Sequence, residues 1–182
     1  MMPPGYQVRL AKPGDVALLP HVEWQAAQVF LTCLEQTGMT AASLDQTQSV
    51  EDFEQARQAG LLWVAVSPAE QLVGFGLVRV LGGYAHLEEL DVLPDHGKQG
   101  LGSALVAAVC NGVQAAGYPG VTLRTFRAVP WNAPFYERCG FCIVDSAQLS
   151  PQHVELEKVE SQRGLGINLR VSMVYALAES SC

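Results

Sequence analysis

An α/β (α+β) fold with about seven strands flanked by helices is what this sequence predicts, and three features predict it. Runs of strand character and runs of helical period succeed one another along the 182 residues. Glycine and proline punctuation separates those runs. Between Gly97 and Gly102 a glycine-rich turn joins the end of a strand to the start of an apolar helix.

The elements follow in order. Tyr6–Ala11 alternates as a first strand. Asp15 is placed to cap the next helix, whose inward positions Val22, Ala26, Val29 or Phe30, and Cys33 recur at helical spacing. Pro20 near its first turns predicts a kink or a restart. Thr40–Gln48 is polar and without a clear period. Ser49-Val-Glu-Asp52 opens a second helix in capping-box fashion, and Gly60 ends it. Leu61–Ser67 and Leu72–Val80 read as a hairpin around Pro68–Gln71, and Gly82-Gly83 turns the chain into the strand Ala85–Leu93. The helix Gly100–Ala116 is stopped by Gly117 and Pro119. Val121–Phe126 is a strand, Pro134–Cys139 a short helix and Phe141–Val144 a strand. Ser150-Pro151 is an N-cap and first-turn pair for a helix reaching Gln162, with Gly164 as its stop. Leu169–Leu177 is expected to close the sheet. No internal repeat, low-complexity run or domain boundary interrupts residues 1–182, so a single domain is expected.

Composition narrows the function classes. Apolar content of 49% and charged content of 16% describe a globular chain able to bury a core. No apolar run has the length of a membrane span, and Met-Met-Pro-Pro-Gly lacks a basic or apolar leader. A cytoplasmic location, with no membrane partner, is expected. The net charge is −7 without a clustered basic stripe, which disfavours nucleic acid. An acidic surface suits a cationic amine, although it also serves solubility. The five cysteines, Cys33, Cys110, Cys139, Cys142 and Cys182, read as free thiols in place of a disulfide framework. Cys139 and Cys142 have redox spacing, but Cys139 ends a helix where a low-pKa thiol needs a helix start. Both are expected to be small apolar fillers. His21, His96 and His153 lack ligand spacing with one another or with cysteine, so no metal is expected.

The turn from Val92 to Val106 has the makings of a phosphate cradle. Gly97, Gly100 and Gly102 remove Cβ atoms, letting backbone N–H groups approach an anion, and the helix that follows adds its positive end. Lys98 can add a charge and Ser103 a hydroxyl. The turn lacks the Gly-Lys-Ser/Thr ending of a P-loop and the spacing of a dinucleotide fingerprint. Some thirty residues on comes Asn132-x-x-Phe135-Tyr136-x-x-x-Gly140-Phe141. With Glu89-Leu90-Asp91-Val92-x-Pro94 running into Gly100-Leu101-Gly102, this order and spacing resembles the GNAT superfamily of acetyl-coenzyme A-dependent N-acetyltransferases, over residues 6–145 and more loosely beyond. Three residues before the first glycine, where that family often has Arg or Gln, this chain has Gly97; His96, Lys98 and Gln99 are the neighbouring donors.

The resemblance implies a GNAT-like fold, with a central mixed, mostly antiparallel sheet. It also implies acetyl-coenzyme A as co-substrate, contacted by Leu90, Val92, Leu93, Lys98, Gln99, Gly100, Leu101, Gly102, Ser103, Asn132 and Phe135. The acceptor is then a small-molecule amine or a protein amino group, and a homodimer is compatible with the sequence, which does not set the oligomeric state.

Acetyl transfer requires a deprotonated amine, a polarised thioester carbonyl and a protonated or stabilised leaving thiolate. Period-two alternation places His86, Glu88, Leu90 and Val92 on one strand face and Leu87, Glu89 and Asp91 on the other. His86 and Glu88 correspond to the two histidines of the similar His-Leu-His strand of arylalkylamine N-acetyltransferases. Glu88 is therefore expected as base, His86 as co-base or relay and Glu89 as reserve. Tyr136 matches the family tyrosine that protonates the coenzyme sulfur, and Trp131 is a candidate acceptor-pocket wall. A non-catalytic acetyl-coenzyme A sensor is the alternative; it would need neither Tyr136 nor the strand acids.

Overall fold

The computed structural model describes residues 2–162 and 169–177. Gly164 and Cys182 lie outside the described residues. The strands β1 (Gln7–Leu10), β2 (Leu62–Val66), β3 (Leu72–Leu81), β4 (Tyr84–Val92), β5 (Gly120–Phe126), β6 (Cys142–Val144) and β7 (Arg170–Ala176) form one sheet in the order β1-β2-β3-β4-β5-β7-β6. Every neighbouring pair is antiparallel except β4 and β5, so the sheet is mixed and mostly antiparallel. The last strand does not close the sheet: β7 inserts between β5 and β6, leaving the three-residue β6 at the edge. The parallel pair is short, with Ala85, His86 and Leu87 opposite Val121, Thr122 and Leu123. Beyond Leu87 the two strands part, and a wedge opens in the middle of the sheet.

Two apolar layers hold the sheet. On one face lies α4 (Leu101–Ala115), whose Leu101, Leu105, Val109 and Val113 recur every fourth residue and are at most 1% exposed. They pack on Trp63, Ala65, Val78, Ala85, Leu87, Val121 and Leu123. On the other face α1 (Leu19–Ala27) and α3 (Val50–Gln58) bring Leu19, Val22 and Phe53 onto Leu62, Val64, Phe75 and Leu77. Phe53 meets Phe75 edge to face at 5.1 Å. All five residues of β2 are buried, as expected of a strand covered on both sides. Between α1 and α3 lies the single turn α2 (Leu34–Thr37), and α5 (Ala133–Arg138) and α6 (Pro151–Gln162) follow β5 and β6. Among the described residues no helix is long and apolar enough to cross a membrane.

The first helical region is broken where the sequence leaves a choice. A 3-10 turn, Pro13–Leu18, precedes α1, which restarts with Pro20 in its first turn; a second, Gln28–Thr32, follows it. Asp15 lies inside the first 3-10 turn, where it accepts from Lys12 N at 2.7 Å and binds Arg9 at 2.6 Å. The expected capping box forms: Ser49 Oγ accepts from Asp52 N at 3.1 Å, and Asp52 Oδ2 accepts from Ser49 N at 3.2 Å. The four described cysteines are free, but the expectation of apolar fillers fails for Cys142, which is exposed on the edge strand, and holds only in part for the half-buried Cys139.

Strict alternation along β4 is also overturned. Leu77 pairs with Glu89 and Val78 with Leu87, so Glu88 is an extra residue opposite no partner, a β-bulge. The bulge changes the parity of the strand. Ala85, Leu87, Leu90 and Val92 all join the α4 side. His86, Glu89 and Asp91 pair with Arg79, Leu77 and Phe75 and share the opposite face.

Gly112 lies where α4 crosses Trp63, and a Cβ there would stand 2.4 Å from Trp63 Cζ2. Gly112→Ala gains about 1 kcal/mol of helix propensity and loses about 1–3 kcal/mol to overpacking. Urea denaturation should show net destabilisation, and the same change in a Trp63→Phe background should cost less.

Candidate active site

The wedge between β4 and β5 collects the chemistry. Its β4 wall carries acids in an environment poor in water. Burial raises the Glu89 carboxyl to about 7, with the negative charges of Glu88 and Glu160 adding to the effect and Arg170 opposing it. Asp91 is raised well above its ordinary value by burial and by Glu89 and Glu23. Its Oδ2 is shut off from solvent and has no partner among the described residues. Glu88 leans toward α3: it forms an ion pair with Arg79, which also reaches Asp52 at 3.2 Å and Gln48 Oε1 at 2.8 Å. Burial still raises Glu88, and the Arg79 charge works against it.

His86 is 6% exposed, and its Nδ1 lies 2.9 Å from Thr122 Oγ1. Burial, with the charges of His153, Arg170 and Arg124, lowers it to about 3, so the ring is neutral at physiological pH. Tyr136 sits on α5, packed between Phe135 at 5.0 Å and Phe141 at 5.6 Å. Burial, then the charges of Glu89 and Asp91, keep the phenol protonated. Asn132 precedes α5, and its side-chain oxygen accepts from Thr125 Oγ1 at 2.8 Å, tying α5 to the end of β5.

The glycine-rich turn forms an open helix start. Pro94–His96 makes one 3-10 turn, Lys98 and Gly100 take left-handed backbone with φ of 57° and 83°, and α4 begins at Leu101 without a side-chain cap. Its first N–H groups are free to bind a ligand. Gly102 faces Phe135, and a Cβ there would lie 3.2 Å from the ring. Ser103 Oγ is 3.9 Å from Cys139 Sγ, so α4 and α5 meet beside the turn. His96, one of the neighbouring donors, has its Nδ1 engaged by Tyr6 Oη at 2.7 Å. Leu90, Val92 and Leu93 pack on the α4-side core at the strand end leading to the turn. Trp131 is 42% exposed and lies 6.3 Å from Phe30.

Two residues of this region escape sequence reasoning. Glu23 on α1 is 7% exposed, accepts from Gln48 N at 2.9 Å, and is pushed up to about 8 by burial and then by Glu89. Arg170 starts β7, lies 5.0 Å over the Phe126 ring, and donates to Arg124 O at 2.7 Å. An amphipathic helix leaves one acid on its apolar side, the signal that could have exposed Glu23: it sits next to Val22 and three residues before Ala26, both buried. Among the described residues no group of three or more His, Cys, Asp or Glu is arranged to hold a metal ion.

Residues 58–143 match the acetyltransferase (GNAT) domain family. Over 103 residues, 56% of the chain, it is 37% identical to a mycothiol acetyltransferase of Clavibacter michiganensis subsp. michiganensis, and the matched segment is 32% of that protein. The chain thus spans about a third of the length of this curated relative. The fold superposes on PaiA N-acetyltransferase from Thermoplasma acidophilum, a complex with coenzyme A, with a TM-score of 0.68 at 15% identity over 94% of this chain and 99% of that one. For the ribosomal-protein-S18-alanine N-acetyltransferase of Escherichia coli the TM-score is 0.64 at 16% identity, over 97% and 98%.

A buried carboxyl with a raised pKa gives stability a pH slope. Below about 4.5 Glu23 is neutral in both folded and unfolded chains; between there and about 8 only the unfolded chain ionises, so stability falls as pH rises. Glu23→Gln keeps an acceptor for Gln48 N and removes the titration. Thermal denaturation should show a larger gain in Tm for this variant at pH 8 than at pH 5.

Proposed function

We propose that residues 1–182 act as one N-acetyltransferase domain, moving an acetyl group from acetyl-coenzyme A directly to a primary amine, either of a small molecule or of a protein. The observation that carries this reading is convergence on one wedge: an uncapped helix start, a protonated tyrosine and strand carboxyls poised to take protons. The glycine turn fits a phosphate-bearing ligand, because a side chain at Gly102 would press on Phe135 and backbone N–H groups at Leu101, Gly102 and Ser103 lack a cap. Lys98 and Gln99 supply further donors on the same turn. Leu90, Val92 and Leu93, at the strand end leading to the turn, and Asn132 and Phe135, at the start of α5, are assigned to the same ligand. Bound acetyl-coenzyme A supplies an activated thioester.

An amine nitrogen loses two protons in forming an amide, one as ammonium and one after attack. A primary ammonium with a pKa near ~10 yields its proton only to a placed base. We assign Glu89 the leading part and His86 a second one. Glu88 stays in the site, but Arg79 engages its carboxylate and turns it toward α3, which reverses the order expected from the sequence. Tyr136 holds its proton at neutral pH and can give it to the departing thiolate. Free thiols at the four described cysteines accord with a reducing, cytoplasmic setting.

A screen of coenzyme release across alkylamines, arylalkylamines, amino acids and peptide N-termini tests the reading; acetyl-coenzyme A binding without transfer to any of them would favour the sensor. Tyr136→Phe should leave coenzyme affinity near wild type and slow the chemical step in single-turnover kinetics toward the lower end of about 10²–10⁴-fold, since a thiolate is a tolerable leaving group. In pH–rate profiles, kcat/KM should rise through about pH 7 as Glu89 ionises. Glu89→Gln should remove that limb, and Glu88→Gln should keep it at reduced amplitude.

A further inference from the structure

From His86 a line of four side chains, His86 included, crosses from the wedge to the surface. His86 Nδ1 is 2.9 Å from Thr122 Oγ1, and Thr122 Oγ1 is 2.9 Å from His153 Nε2. His153 Nδ1 is 2.7 Å from Ser150 Oγ. Thr122 and His153 are fully buried, whereas Ser150 is half-buried at the start of α6 beside the exposed Gly82-Gly83 turn. His86 lies on the same strand face as Glu89, and its Nε2 has no partner among the described residues.

Proton counting makes this line unusual. Thr122 has one hydroxyl hydrogen and stands between two ring nitrogens, so it donates to one histidine and accepts from the other. Two arrangements satisfy every atom. In the first, His86 and His153 both carry hydrogen on Nδ1, Thr122 donates to His153, and His86 Nε2 is a bare acceptor. In the second, both rings carry hydrogen on Nε2, Thr122 donates to His86, and Ser150 donates to His153. One proton entering at His86 Nε2 and one leaving at Ser150 converts the first into the second. Neither ring need be a lasting cation, which suits two rings that burial and the charges of Arg124 and, for His86, Arg170 hold neutral.

We propose that His86, Thr122, His153 and Ser150 form a proton relay between the amine in the wedge and solvent, a route that stays open when bound ligands fill the mouth of the wedge. This rests on the N-acetyltransferase reading. On export, an ammonium N–H bond breaks and His86 Nε2–H forms. The Nδ1 hydrogen of His86 then passes to Thr122, that of Thr122 to His153 Nε2, and the Nδ1 hydrogen of His153 to Ser150, whose own hydrogen goes to water. Reset runs the line backwards: His86 Nε2–H reprotonates the Tyr136 phenolate through water after the thiolate has been protonated, and water refills Ser150. Export and reset cancel, so the net proton of the reaction is the second amine proton, released through Glu89.

Nitrogen-15 NMR of histidine-labelled protein tests the line without reference to activity. The relay requires His86 and His153 to be neutral at pH 7 and to show the same tautomer; opposite tautomers, or an imidazolium at either site, would overturn it. In a protein active toward an amine found by the coenzyme-release screen, Thr122→Val should lower kcat about tenfold to a hundredfold with the KM for acetyl-coenzyme A unchanged. Added imidazole should restore part of that loss, and Thr122→Ser should restore most of it. Unchanged kinetics in a folded Thr122→Val protein sink the relay and leave the transferase reading standing. A wild type that binds acetyl-coenzyme A and acetylates nothing in the screen sinks both, whatever the tautomers.

Discussion

The β3–β4 ladder has to absorb one residue more on β4 than on β3, and Glu88 is that residue. A regular strand would send every second side chain of His86 to Val92 to the same face, splitting its four polar residues between the two sides. The extra residue moves the split. Leucine and valine side chains then go to α4, where apolar area is removed from water, and the acids go to the side of α1, α3 and α6. Without that shift in parity Glu89 and Asp91 would point into the apolar layer beneath α4.

Gathering those acids is costly. Glu23, Glu89 and Asp91 repel one another in a poorly hydrated space, and each is pushed toward its neutral form. Stability must come from elsewhere, and the two apolar layers supply it: a helix of four-residue periodicity on one face and the Phe53–Phe75 cluster on the other. Local rule-breaking of this kind, set in a well-packed frame, is where function concentrates.

Much of the frame is legible in the chain. Glycine and proline punctuation locates all seven strands within a residue or two, and the Ser49 capping box and the α4 stripe read directly as helix signals. What local pattern misses is non-local. Nothing near Leu169 says that the last strand inserts beside β5, because strand order is decided by long-range packing. The bulge at Glu88 escapes because period-two reasoning assumes an unbroken ladder. Glu23 and Arg170 enter the wedge only through the fold, and the link from Thr122 to His153 spans 31 residues.

The join between β4 and β5 has a bearing on how the molecule breathes. Strands β1 to β4 form an antiparallel meander and β5, β7 and β6 a second antiparallel group, and three residue pairs stitch them together. Few backbone hydrogen bonds cross that seam, whereas α4 lies over strands on both sides of it. The helix acts as a splint across a short suture. Opening of the seam costs less than melting either half, so it ranks among the low-energy fluctuations of the native state. The two halves can therefore hinge by small amounts about α4 without either losing its own pairing.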